Sequence, residues 1–560
     1  MPKPFFYHMF QLLLFLVCFV KASFSDDNDD LSADVFVYGA TPAGIFSAIA
    51  AAKRNSSVIL YNYEVRVGGM CSSGLSFTDV GDSNSIGGLA LVFFLRNARH
   101  YNVTATMPDF LLEPHVAESL FQTMMNEQSS LLQIIHSPGS TIVSVSSDNE
   151  KMLQKVSFSD GRNINALAFI DASYTGDLLA LSNISFALGR EPSIQYNESL
   201  AGVTRGNSFP LDPRISNTSG SALLPGMTGT HAGVIGSGDM KIQSYTFRLC
   251  LTRDSGNLIP FQKSVNYNSS EFELLRRYAI RLSDPKISSF LSLEPLHNGK
   301  FDLNNGGFIS TDLIGGSWNY TLGDSSLRKQ IWDKHFEYVS GLLWTLANDI
   351  AIPKVIRDNV NSLGLCADEF ISNSGWPEQL YVREARRMIG EKVFLQSDID
   401  TRPSFGNESI GLGSYTWDSH AAQRVPCLVN YSIHPAECVT VTENDLERIF
   451  EEGLSDNIAV HAMQEGDPGA RTEIDYELPI WLLFPNPIEV INLLSPTCPS
   501  ASHVAFSSVR TEPALMALGH AAGDIAALFI NSGGKGRIQD VDTSILNSWL
   551  HEEGAKIAHS

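Results

Sequence analysis

The sequence predicts an α/β fold in which a mostly parallel sheet is built from both ends of the chain, with a loop-rich α+β segment inserted between them. Three observations carry this. A β-branched and aromatic run, Asp34-Val-Phe-Val-Tyr38, turns on Gly39 into the Ala-rich stretch Pro42 to Ala52, and the apolar run Ser57-Val-Ile-Leu-Tyr61 follows one helix length later. From 190 to 485 the composition shifts to Gly, Pro, Asn and Ser with isolated helices. The α/β character then returns at Glu489–Leu494 and in the Ala/Gly-rich stretch Pro513 to Ile530.

The opening reads as a βαβ unit, the arrangement that places a dinucleotide pyrophosphate on a helix N-terminus. Gly39 permits the tight turn, and Gly44 lets the helix pack closely on the sheet. Thr41, followed by Pro42, replaces the middle glycine of G-x-G-x-x-G. The bland alternative is an ordinary strand–turn–helix. A glycine-rich loop, Gly68-Gly69-Met70-Cys71-Ser-Ser-Gly74, comes next and suits close backbone approach. Glu113 to Ile135 reads as helical, with apolar Val116, Leu120, Phe121 and Met124. Thr141–Val145, Lys155–Phe158 and Ala166–Ile170 read as strands with Ser159-Asp-Gly161 as a turn, and the last ends in Asp171-Ala-Ser-Tyr-Thr-Gly176-Asp177. Arg383, Arg386 and Arg387 fall on a predicted helix, where an exposed or domain-bracing face is the commoner role. Gly519 and Gly523 share one face of the last helix, which predicts close packing against a cofactor or a strand.

At 560 residues two domains are expected, with boundaries at 33–189, 190–485 and 486–560, the first and last forming one unit. A net charge of −22 with no basic stripe argues against a nucleic-acid partner. Residues 1–25 read as a secretory signal peptide: Lys3, an apolar run from Phe10 to Val20, and small-residue cleavage sites at Val20-Lys-Ala22 or Ser23-Phe-Ser25. No stable membrane span is expected. Sequons at Asn55, Asn102, Asn183, Asn197, Asn217, Asn268, Asn319, Asn407 and Asn430 fit a secreted glycoprotein. Of the cysteines left after the signal, only Cys427–Cys438, with Pro435 turning the chain between them, is expected to pair.

Read together, several runs resemble the FAD-dependent oxidoreductases with a Rossmann-like FAD domain. More narrowly they resemble the secreted or polysaccharide-locus branch, some members of which are labelled xanthan lyase. The runs are Gly39-Ala-Thr-Pro-Ala-Gly44, Gly68-Gly-Met-Cys-Ser-Ser-Gly-Leu75, Glu113-Pro-His-Val-Ala-Glu118 and Ile170-Asp-Ala-Ser-Tyr-Thr-Gly-Asp-Leu178. Gln243-Ser-Tyr-Thr-Phe-Arg-Leu-Cys250, Tyr381-Val-Arg-Glu-Ala-Arg-Arg-Met388, Asp418-Ser-His420 and Ser500-Ala-Ser-His-Val-Ala505 with Arg510-Thr-Glu-Pro513 continue the same order.

The resemblance implies a noncovalent or covalent FAD held from both chain ends. Gly39, Thr41, Pro42, Ala43 and Gly44 would cradle the pyrophosphate, with Gly68, Gly69 and Met70 toward the ribose and isoalloxazine. Asp171 and Gly176 would close the strand end, and the helix containing Gly519 and Gly523 would aim its N-terminal amides at the flavin pyrimidine edge. Asn62 stands where the family has a ribose-binding Glu, and Glu64 is a substitute. The implied chemistry is hydride transfer from a hydroxylated or amine small molecule, sugar-derived in the family context, to flavin N5; oxygen is an electron acceptor available outside the cell, although nothing in the sequence selects it.

His503, just before the last helix, is the expected base; the alternative is a histidine bonded to a backbone carbonyl. Arg510 and Glu512 read as a substrate clamp with its partner or as a buried ion pair. Tyr245 and Arg248 are expected to line the pocket, and Asp418 and His420 to reach it from the inserted segment. No metal site is expected. Cys71 reads as a covalent-flavin or redox residue, or else as a half-cystine or small buried residue. No G-x-S-x-G elbow occurs, which disfavours a hydrolase. Two other readings stay open: a flavin-free carbohydrate-binding or interaction protein, and a polysaccharide lyase using Tyr245, His503 and arginines.

Overall fold

The computed structural model describes residues 30–103, 106–216, 221–431, 434–440, 458–467, 469 and 475–558. The expected signal segment and the sequon at Asn217 lie outside them.

The main sheet contains β1 (Leu31–Tyr38), β2 (Val58–Asn62), β3 (Leu132–His136), β4 (Ile142–Ser147), β5 (Leu153–Phe158) and β6 (Asn163–Asp171), in the spatial order β3-β2-β1-β6-β5-β4. β3, β2, β1 and β6 run parallel; β5 pairs antiparallel with β6 and β4 antiparallel with β5, so β5 alone runs against the rest. The short strand Leu493–Leu494 pairs parallel with the end of β6, which ties the C-terminal part of the chain into the sheet. Strand β1, buried from Val35 to Tyr38, lies at the centre, and Tyr38 is level with Tyr61 on one side and Asp171 on the other. The carboxyl ends of β1, β2 and β6 therefore open into one crevice, where open α/β sheets bind their ligands.

Helix α1 (Pro42–Lys53) is buried along almost its whole length, between the sheet and the helix Glu512–Asn531. The predicted packing face of that helix meets a helix, not a strand. A Cβ on Gly519 would lie 2.2 Å from Ala43 O and one on Gly523 2.2 Å from Ser47 O, and Ser47 Oγ donates to Gly519 O at 2.8 Å. Glu512–Asn531 is long and apolar enough to cross a membrane, but here it is the core helix of the fold.

Two predicted elements change. The helix expected over Glu113–Ile135 stops at Asn126 after starting on Pro114, and Leu132–His136 forms β3, because two β-branched residues there pair with β2 and bury Leu132 and Ile135. The segment carrying Arg383, Arg386 and Arg387 is extended, not helical. Tyr381 bridges to Thr246, Arg387–Met388 pairs with Phe186–Ala187, and the guanidinium groups of Arg383 and Arg387 are fully buried in ion pairs.

The inserted segment has its own antiparallel sheet (Leu249–Thr252, Leu258–Ile259, Leu291–Pro295, Lys300–Asn305 and Gly364–Cys366) and a core shared with helix Ser325–Asn348. Its later residues, including Phe394, Ile410, Trp417 and Tyr476, pack into the core of the main sheet. Cys427–Cys438 is bonded as expected, and a second disulfide joins Cys250 to Cys366. Cys71 is a free buried thiol and not a half-cystine.

Candidate functional site

The turn after β1 is built by few atoms. Gly39 has φ +101°, and a Cβ there would meet Ala172 O at 2.9 Å, so both backbone and space require glycine. Thr41 caps α1: its Oγ1 accepts from Gly44 N at 3.1 Å and donates to Ala172 O at 2.9 Å. Pro42 occupies the first helical position, where it forfeits no hydrogen bond. Gly68 N donates to Ala40 O at 2.7 Å, which brings the Gly68-Gly69-Met70 loop against this turn. Tyr174, from the loop after β6, accepts from Met70 N at 3.0 Å and donates to Glu512 Oε1. Thus the first glycine turn, the second glycine loop and the start of the C-terminal helix lie together.

Asp171 ends β6 with its carboxylate taken by Ser173 N and Oγ and Leu179 N, and burial pushes its pKa up to about 6. Gly176 follows in the left-handed region. Asn62 is buried and committed to its own loop. Its Nδ2 donates to Glu64 O at 3.0 Å and Arg66 O at 3.1 Å, and lies 3.0 Å from His136 Nδ1. Burial pushes the Glu64 carboxyl up to about 7.

Beyond Met70 and Tyr174 lies an enclosed cavity, also lined by Tyr381, Arg383, Glu384, Arg510 and Glu512. Burial raises the Glu512 carboxyl to about 7, and its Oε2 has no partner. Arg510 donates from Nε to Asp418 O at 3.0 Å, pairs through Nη2 with Asp418, and reaches Tyr381 Oη from Nη1 at 3.2 Å. Arg383 donates to Ser244 O and faces Asp312 at 3.0 Å. Burial pushes Asp312 up, but Arg383 and His420 outweigh it and hold the carboxyl at about 2.

Asp312, Asp418 and His420 also line a second, open groove of about 500 Å³ together with Trp417, Ser310 and Asn305. His420 Nδ1 lies 2.8 Å from Asp312 and its Nε2 3.5 Å from Asp418. The groove and the cavity are thus joined through Asp418–Arg510–Tyr381 and Asp312–Arg383.

His503 opens the helix His503–Val509, almost wholly buried, with Nδ1 2.8 Å from Glu384 Oε1 and its backbone N donating to Glu191 at 3.0 Å. It therefore meets the cavity's Glu384 rather than a backbone carbonyl. Tyr245 donates to Glu384 O from beneath the same segment. Arg248 is spent on a two-point pair with Asp302 at 3.0 and 2.6 Å and stacks 5.6 Å from the Tyr381 ring. Arg510 and Glu512 do not pair with one another: each has a different partner. Gly519 and Gly523 face α1 and not the crevice. Sequence reasoning missed Tyr174, Asp312, Arg383 and Glu384. The available signal was a run of three arginines and a glutamate between apolar residues, which burial turns into ion pairs.

Among the described residues one cluster has metal-ligand spacing, Glu113, His115 and Glu369. The Lys300 ammonium already bonds both carboxylates there, at 2.6 and 2.9 Å, so a cation is in place.

The donor set of the cavity fits a flavin. A helix start at Glu512, unpartnered guanidinium nitrogens on Arg383 and an unpartnered Glu512 oxygen answer a ring edge of carbonyls and ring nitrogens, while the α1 N-terminus lies against Gly69 of the adjoining loop. The free space is only about 20 Å³, with Tyr174 bridging Met70 and Glu512 across it, so Tyr174 is the side chain that must yield. At the adenosine end Asn62 offers no charge for the ribose, and its Oδ1 already accepts from Glu64 N at 3.3 Å.

A family model described as FAD dependent oxidoreductase matches residues 34–550. No curated protein matches the chain. Among solved structures, thioredoxin reductase of T. acidophilum is similar at 16% identity over 26% of this chain and 36% of that one, with a TM-score of 0.17. PqsL of P. aeruginosa, crystallised with 2-aminobenzoylacetate, is similar at 14% identity over 29% of this chain and 48% of that one, with a TM-score of 0.20. The chain thus spans about a third to a half of those two proteins. The family match covers the glycine turn, the inserted segment and the C-terminal core helix alike, and the chain belongs to the FAD dependent oxidoreductase family, as an FAD-dependent enzyme.

Proposed function

We propose that the protein oxidises a hydroxylated or amine-bearing small molecule, sugar-derived substrates among them, that enters through the groove at Asp312, Asp418 and His420. The observation that carries this reading is the junction of that groove with the cavity through Arg510, Tyr381 and Arg383. When bound, FAD supplies the electron-accepting ring. Tyr174, Met70, Glu512 and Arg383 would hold it at the cavity. The groove's carboxylates and imidazole suit hydroxyl and ammonium groups, which both donate hydrogen bonds. His420 is held above its ordinary range: burial and Arg383 lower it, but Asp312 and Asp418 outweigh them. Its two ring nitrogens face Asp312 and Asp418, which fix the ring at the groove wall.

His503 is the base of this proposal. Burial raises Glu384, but the His503 and Arg387 side chains beside it hold its carboxyl below the usual range, so it stays ionised and accepts from Nδ1–H of the neutral imidazole. That fixes the tautomer and leaves Nε2 to take the substrate proton, the same logic by which a carboxylate orients a catalytic histidine elsewhere.

Secretion and glycosylation belong to the same proposal. Two disulfides suit an oxidising compartment, and Asn55, Asn102, Asn183, Asn197, Asn268, Asn319 and Asn407 are exposed. Oxygen would be the acceptor available there.

The test is an absorption spectrum of the secreted protein, before and after acid precipitation, followed by anaerobic titration with sugars, alcohols and amines. Substrate bleaching of a flavin spectrum supports the proposal. An unsaturated sugar product formed with no electron acceptor would identify a lyase. A protein that takes up no flavin on reconstitution would be left as a binding protein.

A further inference from the structure

Arg383 has no solvent-exposed side-chain surface, and its Nη1 makes both of its contacts here, to Ser244 O and Asp312 Oδ1. Nε and Nη2 are buried without a partner. A guanidinium stays charged at any working pH, and buried donors left unmade are costly, so such a group in a native fold needs an explanation. Arg383 lines the enclosed cavity, and so does Glu512, whose Oε2 is a second buried atom without a partner. Both stand where the helix Glu512–Asn531 begins, so its N-terminal dipole adds positive potential to the same space. A cation with two free donors, a carboxyl raised by burial and a helix start together describe a site for a planar group that acquires negative charge along one edge.

We infer that Arg383 receives the negative charge that forms on the flavin's N1–C2=O edge, with Asp312 as the resident counter-ion that sets how much of the guanidinium charge is left for it. The inference rests on the FAD cofactor and not on the proposed substrate. Asp312 touches Arg383 at 3.0 Å and His420 at 2.8 Å, so it shares one carboxylate between the cavity and the groove. Removing the arginine and removing the aspartate therefore act in opposite directions, which a merely structural role would not produce.

Sulfite reports on this charge without any substrate. Its sulfur lone pair forms a bond to flavin N5, and the displaced electron pair settles on N1–C2=O as a negative charge. Flavin content is measured first on the FAD-loaded protein; sulfite affinity and the midpoint potential are then read on wild type, Arg383→Gln, Arg383→Lys and Asp312→Asn. Losing a charge-assisted hydrogen bond predicts sulfite binding weakened roughly ten- to hundredfold in Arg383→Gln, with a lower potential. Arg383→Lys falls between, and Asp312→Asn binds sulfite more tightly at a higher potential. Unchanged sulfite affinity and potential in fully loaded Arg383→Gln would overturn the assignment, and an accompanying rise in KM alone would move Arg383 to a substrate anion. Should Arg383→Gln fail to load, Asp312→Asn decides: unchanged or weaker sulfite binding there overturns it.

Discussion

Glu384 Oε1 lies 2.8 Å from His503 Nδ1, and neither residue has more than a trace of exposed surface. The two are 119 positions apart in the chain, and the contact joins the extended segment of the inserted region to the helix that precedes the core helix. Glu384 also holds Arg387, which bonds Glu191 and Gly189 O as well, and Glu191 accepts from the His503 backbone. The imidazole is thus fixed at both its ring and its backbone by one buried ionic network. In the proposed mechanism, Glu384→Gln would offer Nδ1 a neutral partner of the same shape and let the wrong tautomer compete. The expected outcome is a kcat reduced by about a hundredfold or more with flavin retained. Steady-state kinetics with flavin quantified on the same sample checks it.

Tyr174 ties Met70 N to Glu512 across a nearly closed cavity. Tyr174→Phe removes both bonds while keeping the ring. Flavin should associate faster with the apoprotein, because the tie that must break on entry is gone, and dissociate faster as well. Stopped-flow quenching of FAD fluorescence reads both rates; slower association in the variant would mean that Tyr174 recruits the cofactor instead of yielding to it.

The pH dependence of stability has two limbs. Glu512 and Glu64 are raised to about 7 and Asp171 to about 6, in each case first by burial. Between the ordinary carboxylate range and those values the folded apoprotein holds protons that the unfolded chain has released, so stability falls as pH rises through this window. Asp312, held at about 2, works the other way: its contribution is present above its unfolded pKa and is lost as pH drops toward 2. The apoprotein should therefore show its highest Tm near pH 4 to 5, roughly where neither limb applies. Glu512→Gln should flatten the decline between pH 5 and about 7 without abolishing it, because Asp171 and Glu64 remain. Thermal unfolding across pH measures this, and an unchanged slope in the variant would count against the buried neutral carboxyl.

How much of this was legible beforehand depends on how local each signal is. The strand–glycine–helix opening, the glycine loop after β2 and the Ala/Gly core helix are written in contiguous residues, because periodicity and turn chemistry act over one element. That Gly519 meets Ala43, by contrast, joins two ends of the chain, and only the small size of both residues hinted at it. Arg383 was obscured for a specific reason: Arg383, Glu384, Arg386 and Arg387 at short spacings look like the charged face of a surface helix. Their partners, Ser244, Asp312, Asp177, Glu191 and His503, come from distant segments that no local pattern brings together. Asn62 was visible as a departure, but its saturation by Glu64 O and Arg66 O could be read only from the folded loop.

The two disulfides close loops of very different length, 116 residues for Cys250–Cys366 and 11 for Cys427–Cys438. Chain entropy predicts that losing the first costs about 4–5 kcal/mol and losing the second nearer 3 kcal/mol. Paired serine variants unfolded in denaturant should preserve that order. The reverse order would place the structural weight on the small hairpin at residues 423–440.

The last prediction concerns the contact on which the cofactor turn rests. A Cβ added to Gly519 would stand 2.2 Å from Ala43 O and 2.5 Å from Ala43 Cα, both backbone atoms of the first turn of α1, so no side chain can swing away to make room. Gly519→Ala must push the core helix and α1 apart. Helix propensity favours alanine over glycine by about 1 kcal/mol, whereas overpacking a filled core costs typically 1–3 kcal/mol. The clash is with backbone on both elements, which places the overpacking cost at the upper end of its range, and the net effect is a loss of up to about 2 kcal/mol. The displacement falls on Thr41, Pro42 and Ala43, and FAD affinity should weaken along with stability. Gly533→Ala, in a left-handed turn with open space around it, serves as the comparison: it should cost stability through backbone strain alone and leave FAD affinity unchanged. Chemical denaturation and FAD titration on both variants separate the two effects, and equal FAD affinities would refute the mechanical link between the core helix and the cofactor turn.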